Sequence, residues 1–192
     1  MQIDRPIEQV HVAIAWRGLS LADDDRYALW VANHVLGGGM SSRLFQEIRE
    51  TRGLAYTVFS SPSSYSDTGS LIVYAGTALA RLDELLTVTD DVLARVLDEG
   101  ITDEEHAVAI GYLEGSMLLG LEDSGSRMAR LGNGLMTRDD VTSIDEHIRR
   151  IRAVTTDEVH AVIRRVLGGP RAVSAVGPLG DGSRVVERFA CG

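Results

Sequence analysis

Leu36-Gly37-Gly38-Gly39-Met40-Ser41-Ser42-Arg43-Leu44-Phe45-Gln46-Glu47-Ile48-Arg49-Glu50-Thr51-Arg52-Gly53-Leu54-Ala55-Tyr56 contains a helix end, a helix start, a helix stop and the opening of a strand. Glycine has no Cβ and terminates helices readily, so the Gly37-Gly38-Gly39 run closes whatever helix precedes it. From about Ser41 to Thr51, the spacing of Leu44, Phe45 and Ile48 predicts a second helix with these three side chains facing inward. Gly53 stops that helix, and the apolar and aromatic run from Leu54 to Ser60 reads as a strand.

Upstream, Val10 to Gly18 alternates and is rich in Val, Ile and Trp, which predicts a strand. Asp23 to Leu36 then places Tyr27, Trp30, Val31, His34 and Val35 at helical spacing. Downstream, Ser70 to Thr77 is a further strand, separated from the one at Leu54–Ser60 by turn-rich residues 61–69, so a hairpin with a long loop is expected. From Arg81 the apolar period becomes helical, with Leu82, Leu85, Leu86, Thr89, Val92, Leu93, Val96 and Leu97 forming one stripe up to Gly100. Four more helices follow. Three open with a capping box, in which a Ser or Thr side chain accepts from the N–H three residues on and a Glu there reaches back: Thr102/Glu105, Ser143/Glu146 and Thr155/Glu158. Arg171 to Gly177 reads as a last strand.

Strands and helices do not alternate strictly, which disfavours a doubly wound parallel sheet and predicts an α+β two-layer domain. The expected form is a mainly antiparallel mixed sheet covered by helices on one face. Residues 1–178 are expected to form this single domain and 179–192 a flexible tail.

The chain has 192 residues, 44% hydrophobic and 24% charged, with mean hydropathy +0.01, the composition of a globular protein. At this size folding buries roughly 70% of the unfolded surface, enough for a core without disulfides. The lone Cys191 agrees, since one cysteine builds no disulfide framework. Net charge is −9, and no basic cluster interleaves with aromatics, which argues against a nucleic-acid partner. No run approaches the roughly 20 apolar residues of a membrane helix, and the opening residues lack a signal-peptide pattern, so no membrane partner and a cytoplasmic location are expected.

Zinc chemistry would need two histidines one helical turn apart with a Glu between them. Neither H-E-x-x-H nor its inverse occurs among His11, His34, His106, His147 and His160. Thr102-Asp103-Glu104-Glu105-His106 ends like the inverse motif, but Thr102 stands where a ligand is required. The pairs Asp103/His106 and Asp157/His160 lie in first turns of capped helices, where acids are favoured by the helix dipole. The glycine run before Ser41 and Ser42 invites a phosphate cradle, yet it follows a helix rather than a strand and no P-loop pattern is present. A helix stop joined to a Ser N-cap explains it as well. Ser41, Ser42, Ser124 and Ser126 lie in no nucleophile elbow, and Cys191 falls in the expected tail.

The opening stretch, Leu36 to Tyr56, resembles the signature of the C-terminal half of M16 zinc metallopeptidases, the family of pitrilysin and mitochondrial processing peptidase. The similarity continues through Tyr65-Ser66-Asp67-Thr68-Gly69, Tyr74-Ala75-Gly76-Thr77 and Gly115-Ser116-Met117-Leu118-Leu119-Gly120-Leu121-Glu122-Asp123-Ser124. It implies a substrate-binding half that carries no zinc, joined to a zinc-bearing half in the same chain or in a partner subunit, with possible homo-oligomers. Zinc would then be the cofactor of the full enzyme and not of this segment, which alone would be inactive. The resemblance also implies that Arg49 and Tyr56, seven positions apart, contact the peptide substrate near the scissile bond. On the residues alone, Arg49 could snorkel from the edge of an apolar face, and Tyr56, alternating with Leu54 and Val58, could be core. Arg52 belongs to the same signature, and a structural ion pair accounts for it equally well. The other role implied is that of a non-catalytic structural subunit.

Overall fold

In the computed structural model, which describes residues 1–138, 141–180 and 185, five strands form one sheet. They are β1 (Gln2–Asp4), β2 (Val10–Arg17), β3 (Ala55–Ser64), β4 (Gly69–Thr77) and β5 (Arg171–Gly177), in the order β1-β5-β2-β4-β3. All pairings are antiparallel except β1 with β5. The sheet is therefore mixed and mainly antiparallel, as the sequence predicts. β1 is too short and too polar to announce itself, and it exists because β5 offers its backbone from the opposite end of the chain, Gln2 pairing with Ala175.

Alternation decides which face is buried. Val10, Val12, Ile14 and Trp16 of β2, with Leu71, Val73 and Ala75 of β4, point into the core, while His11, Ala13, Ala15, Ile72 and Tyr74 on the other face are half-exposed. Helices cover the first face. They are α1 (Arg26–Asn33), a short α2 (Phe45–Thr51), α3 (Leu82–Glu99), α4 (Asp103–Gly120), α5 (Ser124–Arg138), α6 (Ile144–Ala153) and α7 (Thr156–Leu167). α1 packs on α7 and β3, and α7 on α3 and β2. The stripe of α3 is buried from Leu82 to Val96, and Gly100 ends it at φ 71, a positive value that glycine adopts without strain.

Local chemistry sets most helix starts. Thr102 and Thr155 form complete capping boxes with Glu105 and Glu158. The box at Ser143 is only half made. Ser143 accepts from the Glu146 N–H, but the Glu146 carboxylate is taken by Arg149 and Arg150, which hold it well below the usual carboxylate range, at about 2.

Two expectations are corrected. The long loop over 61–69 is mostly strand, because Ser61, Pro62, Ser63 and Ser64 pair with Ile72, Leu71, Ser70 and Gly69. β3 is an edge strand, where a proline's missing N–H need not cost a ladder bond. The glycine run does not stop α1 at once: the helix widens into a π-turn over His34–Gly38, and Gly39 is extended. The expected tail, 179–192, lies outside the described residues except for Leu179, Gly180 and Val185, as does Cys191.

Candidate functional site

The helix and strand predicted from the opening stretch are both present, and the turn between them builds the site. Leu44 and Ile48 are buried and Phe45 is half-buried, holding α2 against the core. α2 is wound as a π-helix, a form common at functional positions. Gly53 (φ 59) reverses the chain, and the Leu54 N–H donates to the Ile48 carbonyl at 2.8 Å. A tight reversal of this kind returns β3 beside the helix, which brings Arg49 and Tyr56 together despite the seven positions between them.

Tyr56 sits on a β-bulge. Ala55 pairs with Thr77 and Thr57 with Gly76, so Tyr56 is the extra residue between them. A bulge re-aims side chains. Leu54 and Val58 are buried, yet Tyr56 is 76% exposed, so the core placement that simple alternation allows for it does not occur. The Arg49 guanidinium lies over the Tyr56 ring at 4.5 Å and over the Phe45 ring at 4.8 Å. Such cation–π stacking contributes about 0.5–1 kcal/mol at exposed sites and fixes the plane of both groups. Glu50 adds a long ion pair to Arg49 at 3.7 Å. The result is a phenol hydroxyl and a fork of guanidinium donors side by side on the surface. Both are suited to hydrogen-bonding the carbonyls of an extended peptide. Arg52 pairs with Glu47 at 3.6 Å, the structural ion pair considered for it.

Behind this pair, Arg43 clamps α2 to the helical layer. Its Nε and Nη2 donate to the two Glu105 carboxylate oxygens at 2.6 and 2.7 Å, and Nη2 also reaches the Gly100 carbonyl at 2.9 Å. Nothing local in the sequence marks this contact. The glycine run is explained by close packing: a Cβ on Gly37 would lie 2.5 Å from the Ser60 backbone nitrogen, and one on Gly39 would lie 2.7 Å from the His34 ring. The Ser42 hydroxyl donates to the Gly39 carbonyl rather than capping a helix N–H, so Ser42 does not make the N-cap considered for this turn.

A family model described as the peptidase M16 inactive domain matches residues 2–113. The chain belongs to the M16 peptidase family. A curated relative in Streptomyces coelicolor, an uncharacterized zinc protease, is 46% identical over 179 residues, covering 93% of this chain and 39% of that protein. A crystal structure of a peptidase M16 inactive domain from Pseudomonas fluorescens superposes with TM-score 0.82 at 26% identity, covering 92% of this chain and 42% of that one. A chain of complex III2 from Candida albicans shares the fold, with TM-score 0.85 at 18% identity, covering 99% of this chain and 48% of that one. This M16 domain spans well under half the length of the curated relatives it matches.

Zinc is implied by the relatives' names, and the described residues of this M16 domain do not fit it. His11 lies 2.7 Å from the Tyr74 hydroxyl, His147 2.8 Å from the Tyr27 hydroxyl, and His106 Nε2 2.9 Å from the Val154 carbonyl oxygen. His160 accepts from the Ile101 N–H at 2.9 Å, and His34 is buried against the Tyr112 ring. These rings sit on five different elements. Among the described residues no group of three or more His, Cys, Asp or Glu could share an ion. Thr102, at the position where the inverse motif places a ligand, caps α4.

Proposed function

We propose that this M16 domain is the zinc-less, substrate-holding half of a metalloendopeptidase, and that Arg49 and Tyr56 hold the peptide backbone while a zinc-bearing M16 half supplies the hydrolytic centre. The observation that carries this reading is the bulge at Tyr56. It leaves a large aromatic in water and turns its hydroxyl outward beside Arg49, an arrangement that core packing alone has no need of. Tyr56 would donate to the scissile carbonyl as negative charge develops on the oxygen, and Arg49 would grip a neighbouring carbonyl in ground and transition states alike. The length of the relatives supports a second half, as does the apolar surface left open on α4 and α5 at Val108, Tyr112, Leu119, Met128 and Met136. Residues 1–178 act as one folding unit in this reading.

A purely structural subunit is the competing role, and in it Arg49 and Tyr56 are dispensable. Titrating the isotope-labelled chain with an unstructured peptide separates the two. Amide shifts are expected to cluster at α2, Tyr56 and the start of β3. Saturable shifts confined to other surfaces, or none at all, would overturn the substrate-holding role.

A further inference from the structure

Helix α5 leaves several large apolar side chains in solvent beside an open cleft. Met128, Leu135 and Met136 are exposed, while Arg127, Arg130, Asn133 and Thr137 line a cleft against the body of the protein. The cleft, of about 510 Å³, lies between α5, the last turns of α4, the start of α6 and Trp30 of α1. That volume falls in the range of small-molecule sites, about 300–1,000 Å³. Its apolar wall is formed by Leu21, Trp30, Met117, Leu121 and Ile144.

The charge of the cleft is opposite to that of the chain. Net charge is −9, yet among the described residues Arg127 and Arg130 line the cleft and no Asp or Glu does. The nearby Arg149 and Arg150 are paired with Glu146, and Arg152 with Glu114. Among the described residues Arg127 and Arg130 have no carboxylate partner. Arg130 donates through Nη1 to the Thr142 carbonyl at 2.7 Å, and its Nε is buried with no acceptor. A buried donor without an acceptor costs free energy, which an anion that draws the guanidinium toward the cleft would recover.

We propose that this cleft is a binding site for a carboxylate carrying an apolar tail, with Arg130 and secondarily Arg127 on the carboxylate and Trp30, Met117 and Ile144 on the tail. The predominance of apolar walls selects a tailed anion over a bare one such as phosphate, and guanidinium forks match a carboxylate bidentately. The site shares no residue with the Arg49–Tyr56 pair and does not depend on the peptidase reading.

Decanoate is a suitable probe, because Trp30 reports on the cleft by fluorescence and a Trp30→Phe control isolates its signal from that of the buried Trp16. Decanoate is expected to saturate the signal below its micelle concentration, with decanol binding about tenfold more weakly, the difference between a charge-assisted and a neutral head. Arg130→Gln should weaken decanoate to the level of decanol, and Ser116→Leu, which fills the cleft and leaves Arg130 in place, should remove binding. Equal affinity for decanol, full affinity in a folded Arg130→Gln or Ser116→Leu chain, or no saturable response would overturn the proposal. Competition by inorganic phosphate at equal concentration would overturn the part assigned to the tail.

Discussion

Removing Arg43 tests whether the contact between α2 and α4 holds the site in place. Its two bonds to Glu105, at 2.6 and 2.7 Å, join side chains only 16% and 27% exposed. Exposed ion pairs contribute about 0.2–1 kcal/mol, whereas breaking a fully buried pair costs about 3–5 kcal/mol. At this intermediate burial, with the Gly100 carbonyl also losing a donor, Arg43→Ala should cost about 2 kcal/mol, which lowers Tm by roughly 4–8 °C for a chain of this size. Glu158 is an internal control. It makes the same reciprocal cap, accepting from the Thr155 N–H at 2.7 Å without an arginine, so Glu158→Gln should cost about 1 kcal/mol or less. The pH dependence has a defined sign. Burial alone would raise the Glu105 carboxyl, but the Arg43 and Thr102 hydrogen bonds outweigh it and hold it below its ordinary value. The pair's contribution is therefore full above the unfolded carboxylate value, about 4.3, and is lost as pH falls through the lowered folded one. Urea denaturation of both single variants and of Arg43→Ala/Glu105→Gln closes the cycle. A coupling energy below about 0.5 kcal/mol, or a pH profile unchanged by Arg43→Ala, would refute the reasoning.

His34, 4% exposed with both ring nitrogens unpaired, has its proton affinity lowered by burial, in a recess it shares with Glu104 and Glu105. The unfolded chain therefore binds this proton more readily, and stability should fall as pH drops below about 6.5, by at most about 1.4 kcal/mol per unit, a slope that His34→Phe should flatten in urea melts. Gly100 combines φ 71 with a ring in its way, since a Cβ would lie 2.2 Å from His160 Nε2. Gly100→Ala should destabilise by more than about 1 kcal/mol, and thermal melting checks it.

Features set by neighbours in sequence were legible, and those set by partners far along the chain were not. Thr102/Glu105 and Thr155/Glu158 are local chemistry and appear as read, whereas Ser143/Glu146 is incomplete because arginines three and four residues on compete for the same carboxylate. The family signature points to Arg49 and Tyr56, and Gly53 is the visible reason that they meet. The bulge that turns Tyr56 outward was invisible, because it arises from pairing with Thr77 and Gly76 across the sheet. The serine- and proline-rich run after Ser60 looked like a loop until β4 supplied its ladder. The Arg43–Glu105 clamp and the cleft under α5 likewise depend on contacts between separate helices, and no periodicity in the sequence encodes them.

The most direct measurement is steady-state peptide hydrolysis by this domain assembled with a zinc-bearing M16 half, comparing Tyr56→Phe and Arg49→Ala with the parent. If Tyr56 stabilises charge that forms only in the transition state, Tyr56→Phe lowers kcat on the order of 10²-fold with KM nearly unchanged, and Arg49→Ala weakens both binding and turnover. Folded variants that keep the parent's kcat and KM would contradict the assignment of this pair to substrate.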